Sequence, residues 1–218
     1  MATTDLSTDR REDRFIELER AASRWAARRL AVVAGGIEHE RRVLAIAVKL
    51  FDLTRPLLNL SSAHARTLRL AALLHDVGRA IDERDHPRQG ANLILTTTAI
   101  PLSPAERRAL AFLTRYHRGA VPPLGKEEHL TSADDRPALH KLLALLRVAD
   151  ALDNRQLPPL ELTFSLEARR LTIDATVTSN FRRAREVFTR RKKFRMLEDL
   201  MDGSITMNLA RATADSAA

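Results

Sequence analysis

A mainly helical domain followed by a small ββαβ unit is the architecture this sequence predicts, and three observations lead to it. Apolar residues recur at helical spacing in successive segments up to about residue 155. The composition is 44% hydrophobic but only 4% aromatic, rich in Leu, Ala and Arg, a mixture that favours helices. At about Gln156 the period changes to strict alternation, the pattern of half-buried strands. The expected units are residues 1–155 and 156–218, and 218 residues are enough for one sizeable core with a small companion.

Residues 9–33 place Phe15, Leu18, Ala22, Trp25 and Leu30 on one side of a helix, and "AGG" at 34–36 breaks it. A second helix runs from Ile37 to about Leu53, with Val43, Ile46, Ala47 and Leu50 as its apolar stripe. "SSAHARTLRLAALLHD" offers a Ser cap and a third helix that ends before Gly78. Residues 88–98 form a short helix after His86-Pro87. In "SPAERRALAFLTRYH", Ser103 is the cap, Pro104 the first helical residue and Glu106 the acid three after the cap. Beyond a Pro/Gly loop at 119–125, "DDRPALHKLLALLRVADALD" reads as another capped helix. Past Gln156 come Leu160, Leu162, Phe164 and Leu166, then Leu171, Ile173, Ala175 and Val177, with "EARR" as the hairpin turn. A basic helix at 180–200, Gly203 and a final strand, "SITMNLA", complete the ββαβ unit.

Charge and cysteine usage restrict the function. There are no cysteines, which excludes disulfides and thiolate metal sites. The formal net charge is +8, and the excess gathers in "FRRAREVFTRRKKFR" (181–195), which holds eight Arg or Lys. That stretch reads as a solvated helix face or as a surface for a phosphate-rich polyanion. Nucleic acid ranks last as a partner, since an aromatic stacking platform for single strands is lacking. The start, "MATTDLSTDRRED", has no apolar signal region and no apolar run approaches 18 residues. A soluble cytoplasmic protein without membrane attachment is expected, and a homodimer is compatible with the sequence.

The chemistry gathers around "ALLHDVGRAIDERDHPRQG" (72–90). His75 and Asp76 follow directly on the apolar Leu73 and Leu74, where both are costly to bury unless each finds a partner. Of the seven histidines, His39 lies early in a helix, His117 closes the "LAFLTRYH" helix, and Asp150 ends the run "KLLALLRVAD". His64, His129 and His140 sit in polar, loop-like or outward-facing surroundings and are read as structural.

The order His39, His75-Asp76, His86, His117, Asp150 resembles the HD superfamily of metal-dependent phosphohydrolases, whose signature is H…HD…D on an all-helical core. His39, His75, Asp76 and Asp150 fall on the four signature positions. His86 and His117 look like the two extra histidines of binuclear members such as the HD-GYP phosphodiesterases. Their pattern of HP, two residues, G and then IL is matched by His86, Pro87, Gly90, Ile94 and Leu95. A closer resemblance is to the C-terminal part of the Ppx/GppA exopolyphosphatase/guanosine pentaphosphatase family. It is carried in order by "EHERRVLAIAVKLFD", "AALLHDVGRAI", "HPRQGANLIL", "FLTRYHRG" and "LLALLRVADALD", and covers roughly residues 25–210. The family's N-terminal actin-like domains, which carry its known phosphatase site, have no counterpart in the sequence. Many full-length relatives have lost parts of the metal set, and this chain retains every member.

The resemblance implies a metal site of His39, His75, Asp76, His86, His117 and Asp150, with two divalent ions and Asp76 bridging them. Four imidazoles and two carboxylates suit Mn, Fe, Co, Ni or Zn better than Mg, which prefers all-oxygen shells. Asp76 and Arg79 are the expected catalytic residues, and Arg79 and Arg118 are candidates to neutralise a substrate phosphate. The expected function is hydrolysis of a phosphate ester or anhydride, in a nucleotide, alarmone or polyphosphate-like substrate, by metal-activated hydroxide. The alternative is a non-catalytic regulatory module that binds polyphosphate or a phosphorylated nucleotide.

Overall fold

The structure is a computed structural model that describes residues 6–123, 129–155, 157, 159, 161–178, 180–189 and 191–212. Gln156 and Leu160, where the expected unit boundary and the first alternating position fall, lie outside the described residues, as do Leu124 and Gly125 of the Pro/Gly loop. Six helices come first: α1 (Leu6–Leu30), α2 (Glu38–Thr54), α3 (Ser62–Leu74), α4 (His86–Thr96), α5 (Pro104–Tyr116) and α6 (Arg136–Leu152). They are followed by β1 (Glu161–Glu167), β2 (Arg170–Val177), α7 (Phe181–Phe188), α8 (Arg195–Met201) and β3 (Ser204–Arg211). No helix among the described residues is long and apolar enough to cross a membrane.

Local chemistry sets most of the boundaries. The α1–α2 break is a turn in which Gly35 and Gly36 both adopt positive φ, +81° and +54°, the region where only glycine is unstrained. At the start of α5 the expected capping box is present. Glu106 N donates to Ser103 Oγ at 3.3 Å, and Ser103 N donates back to Glu106 Oε2 at 2.7 Å. Before α3 the reciprocal partner is an imidazole, because Ser61 N donates to His64 Nδ1 at 3.0 Å. Ahead of α6 the expected side-chain cap is not formed by the N-cap residue. Asp135 makes no side-chain cap bond; its own N–H donates to Ser132 Oγ at 3.2 Å.

α6 is the central helix. Leu142 through Leu146, Val148, Ala149 and Leu152 are all buried, so it is apolar nearly all round, as a helix enclosed by others must be. It packs against α2, α3, α5 and α8.

The sheet has the order β1-β2-β3, with β1 antiparallel and β3 parallel to β2. The hairpin closes where Glu167 pairs with Arg170, leaving Ala168 at φ +51° in the turn. The basic segment expected as one helix over 180–200 is instead broken. α7 ends at Phe188, a 3-10 turn spans Arg191–Lys193, and α8 begins at Arg195. Phe188, Phe194 and Leu197 are all buried, and the break lets α7 and α8 each turn apolar residues inward. Among the described residues the main hydrophobic core runs from the helical part into the sheet unit, because Leu171, Ile173, Phe194, Leu197, Met201 and Ile205 belong to the cluster that fills the helical part, while Val177, Ala184 and Phe188 form a second, smaller cluster.

Candidate metal centre

The expected ligands arrive from helix ends, and their backbone surroundings fix each ring. His75 follows the last residue of α3, His117 follows α5, and His86 opens α4. The last carbonyls of a helix lack intrahelical partners. His75 Nδ1 donates to Ala72 O at 2.9 Å and His117 Nδ1 to Thr114 O at 2.7 Å. His86 Nδ1 donates to Glu83 O at 2.8 Å, and His39 Nδ1 to Asp153 Oδ2 at 2.6 Å. Carbonyls only accept, so Nδ1 carries the proton in His75, His86 and His117. In a neutral ring Nε2 is then a bare lone pair.

Those Nε2 atoms converge. Asp76 Oδ1 lies 3.1 Å from His86 Nε2, 3.3 Å from His117 Nε2 and 3.7 Å from His75 Nε2. Asp150 Oδ1 lies 3.3 Å from His39 Nε2 and 3.7 Å from His75 Nε2. His86 Nε2 and His117 Nε2 face each other at 3.3 Å, two lone pairs that repel unless a cation or a proton stands between them. Two donors about 2.1 Å from one tetrahedral ion stand about 3.4 Å apart, which is the spacing seen.

Orphaned atoms make the same point. His39 Nε2, Glu40 Oε2, His75 Nε2, Asp76 Oδ1 and Asp150 Oδ2 are buried without a hydrogen-bond partner. At about 1–3 kcal/mol each, five such atoms cost about 5–15 kcal/mol, the whole stability of an ordinary domain. The donor set and its spacing fit divalent cations. Potential ligand atoms fall into two groups that share Asp76: His39, Glu40, His75 and Asp76, and then Asp76, His86 and His117.

Protonation follows from the same surroundings. Burial pushes His117 down to about 4 and lowers His86, against the pull of Asp76, so both rings are neutral near pH 7. For His39, burial works in the same direction, but Asp150 and Asp153 outweigh it and push the ring up to about 9. Burial opposes charge on Asp76 and Asp150 as well, yet the histidines around them hold both well below the usual carboxylate range.

Arg79 Nε donates to Asp76 Oδ2 at 2.5 Å, and its guanidinium also pairs with Glu83. Arg118 Nη2 lies 3.4 Å from Asp150 Oδ1. Both line a cavity of about 270 Å³ over the site, together with His39, Asp150, Arg155 and Lys193. Larger hollows of about 320 and 790 Å³ flank α1, where Arg14 pairs with Glu106 and Arg69 with Glu19; among the described residues neither contains a ligating cluster. His64 and His140 lie outside the cluster: His64 caps α3, and His140 packs against the Phe112 ring at 5.6 Å.

Residues 29–188 match the profile of the Ppx/GppA phosphatase family, domain III. The chain belongs to this family. Over 147 residues it is 31% identical to a guanosine-5'-triphosphate,3'-diphosphate pyrophosphatase of Aeromonas hydrophila, a match covering 66% of this chain and 29% of that protein. A protein of the same name from Aeromonas salmonicida is 29% identical over 143 residues, 64% of this chain and 28% of its own length. The chain thus spans less than a third of the length of these curated relatives.

In this Ppx/GppA domain, sequence reasoning passed over four charged residues at the site. Asp153 holds His39 Nδ1 and also accepts from Arg42 Nε at 2.7 Å. Glu40, beside His39, is fully buried and paired with Arg155. Arg155 also donates to Asp76 Oδ2 at 3.0 Å. Lys193 Nζ reaches to 3.7 Å from Asp150 Oδ2 out of the basic segment. Asp153 left a signal, since it stands three residues beyond Asp150 in "ADALD" and so one helical turn further along the same face.

Proposed function

We propose that this chain is an HD-type, metal-dependent phosphohydrolase whose liganding residues lie in 1–155 and whose mouth is completed by 156–218. The observation that carries the reading is the set of imidazoles with Nδ1 tied off and Nε2 turned toward two buried carboxylates. The ligands are His39, His75, Asp76, His86, His117 and Asp150, with Glu40 close enough to join the first group. When bound, divalent ions supply Lewis acidity toward a phosphoryl group and lower the pKa of water.

The chain's own residues do the positioning. Arg79 and Arg155 together hold Asp76 Oδ2 and leave Oδ1 facing His86 and His117. Asp153 keeps the His39 ring oriented, in the manner of the outer carboxylates that support metal-bound histidines. Arg118, at the cavity wall beside His117, neutralises charge on a substrate phosphate. No protein nucleophile is required.

The substrate class is a phosphate ester or anhydride. Similarity to two guanosine-5'-triphosphate,3'-diphosphate pyrophosphatases favours a phosphorylated guanine nucleotide among nucleotide, alarmone and polyphosphate candidates. The test is elemental analysis of the purified chain and a phosphate-release screen across these compounds with Mn²⁺. Asp76→Ala should lose both metal and phosphate release, and His140→Ala should keep both. Equal metal content in wild type and the Asp76→Ala variant would overturn the assignment.

A further inference from the structure

Glu40 lies in the first turn of α2, directly after His39, and its side chain is fully buried. A carboxylate is costly to bury there unless both of its oxygens find partners. Oε1 accepts from Arg155 Nη2, and the same nitrogen donates to Asp76 Oδ2 at 3.0 Å. One cationic nitrogen therefore draws two buried carboxylates together. Oε2 of Glu40 has no hydrogen-bond partner among the described residues. Its place is not arbitrary. Glu40 offers a carboxylate oxygen within 4.8 Å of ligand nitrogens of His39 and His75 and of a carboxylate oxygen of Asp76. Opposite donors, each about 2.2 Å from one ion, stand about 4.4 Å apart, so small side-chain movements bring this group onto a single cation.

We propose that Glu40 is a metal ligand through Oε2, joining His39, His75, Asp76 and Asp150, and that it makes the two halves of the centre chemically unlike. The proposal rests on the metal-centre reading and deepens it. With Glu40 the first half offers two imidazoles and three carboxylates. The second half offers the imidazoles of His86 and His117 and the shared Asp76. A carboxylate-rich shell suits Mn²⁺ among the divalent transition metals. Two imidazoles and one carboxylate with an open fourth position are the ligand set of a catalytic Zn²⁺. Glu40 thus biases the first half toward the harder ion. A Glu40 with a purely structural role would act only through Arg155, by helping it hold Asp76, and that difference can be measured.

The experiment is competition between the full chain and a chelator of known affinity, for Mn²⁺ and separately for Zn²⁺. Glu40→Gln keeps the shape and an oxygen that accepts from Arg155, and removes the charge. It should bind Mn²⁺ at least about tenfold more weakly, since even an outer carboxylate costs that much when lost. Zn²⁺ affinity should stay within about threefold, because zinc is satisfied by four ligands and His39, His75, Asp76 and Asp150 remain. In an Arg155→Met background, Glu40→Gln should cost the same Mn²⁺ affinity again, to within about threefold. Glu40→Asp, one methylene shorter, should fall between wild type and Glu40→Gln for Mn²⁺. It takes over the comparison if Glu40→Gln lacks the helical circular dichroism of wild type. Wild-type Mn²⁺ affinity in the folded variant that carries the comparison overturns the proposal. So does an equal loss of both metals, or a loss that disappears once Arg155 is replaced. Wild type that binds neither metal overturns the metal centre itself.

Discussion

His39 Nδ1 stands 2.6 Å from Asp153 Oδ2, and the same carboxylate accepts from Arg42 Nε at 2.7 Å through its other oxygen. This pair spans α2 and the end of α6, so the ring that opens one helix is aimed by the residue that closes another. Asp153→Asn preserves shape but weakens the acceptor facing Nδ1. Metal affinity should fall about 10–100-fold, the usual cost of losing an outer carboxylate, while the fold persists. Competition against a chelator of known affinity measures it. Unchanged affinity with intact circular dichroism would remove Asp153 from the site.

The same pair sets a pH dependence. His39 is pushed up to about 9 from an ordinary 6.5. A group whose folded value lies above its unfolded one contributes stability fully below the unfolded value, and loses it as pH rises through the folded value. Chelator-treated protein should therefore lose thermal stability from about pH 6.5 to above pH 9 on account of His39. Metal loading has the opposite trend, because the ion competes with the proton on Nε2: affinity should climb by up to about tenfold per pH unit until about pH 9. His86 and His117, already neutral near pH 7, add nothing in that window. Titrations in two buffers of different ionisation heat count the released proton, and a count of zero at pH 7 would contradict the assignment.

Much of this was legible in the sequence, and the reasons are physical. Apolar stripes and the Ser103–Glu106 box locate helices because helix period and caps are local properties. The six expected ligands meet because each sits at or near a helix end that points inward. The continuation of the basic helix past Phe188 was misread, since periodicity cannot show that Phe194 and Leu197 must reach the common core. Arg155, Glu40 and Lys193 were missed for a related reason: their partners are 79 to 115 residues away, or across the β-unit, and charge alone does not reveal a pairing at that separation.

His86 and His117 provide a test of nuclearity. With Asp76 they form one of the two ligand groups, and the other retains His39, Glu40 and His75. A His86→Ala/His117→Ala double variant should retain roughly half the bound metal and lose most phosphate release, if Asp76 serves two ions. Full metal occupancy in the double variant would reduce the centre to one ion. Elemental analysis against protein concentration decides between the two.

Gly78 offers the last prediction, and it separates packing from ligation. The third helix ends before Gly78, as its sequence suggests, at Leu74, and Gly78 itself lies within a 3-10 turn, Val77–Ala80. What it provides is closeness. A Cβ there would stand 2.1 Å from His86 O and 2.5 Å from Gly90 N, both backbone atoms of α4 that cannot rotate away. That contact is what lets Asp76, two residues before Gly78, bring Oδ1 to within 3.1 Å of His86 Nε2. Overpacking ordinarily costs about 1–3 kcal/mol, and an obstacle made only of backbone puts Gly78→Ala at or beyond the upper end. The variant should have a lower denaturation midpoint and bind less metal, because α4 must move and carry His86 away from Asp76. Gly90→Ala is the comparison. Its added Cβ meets chiefly the Thr114 methyl at 2.8 Å, so a Gly90→Ala/Thr114→Ala double variant should recover much of the stability and metal that Gly90→Ala loses. Gly78→Ala has no such side-chain remedy. A Gly78→Ala protein with wild-type midpoint and full metal content would show that the spacing of α4 from the turn does not control the centre.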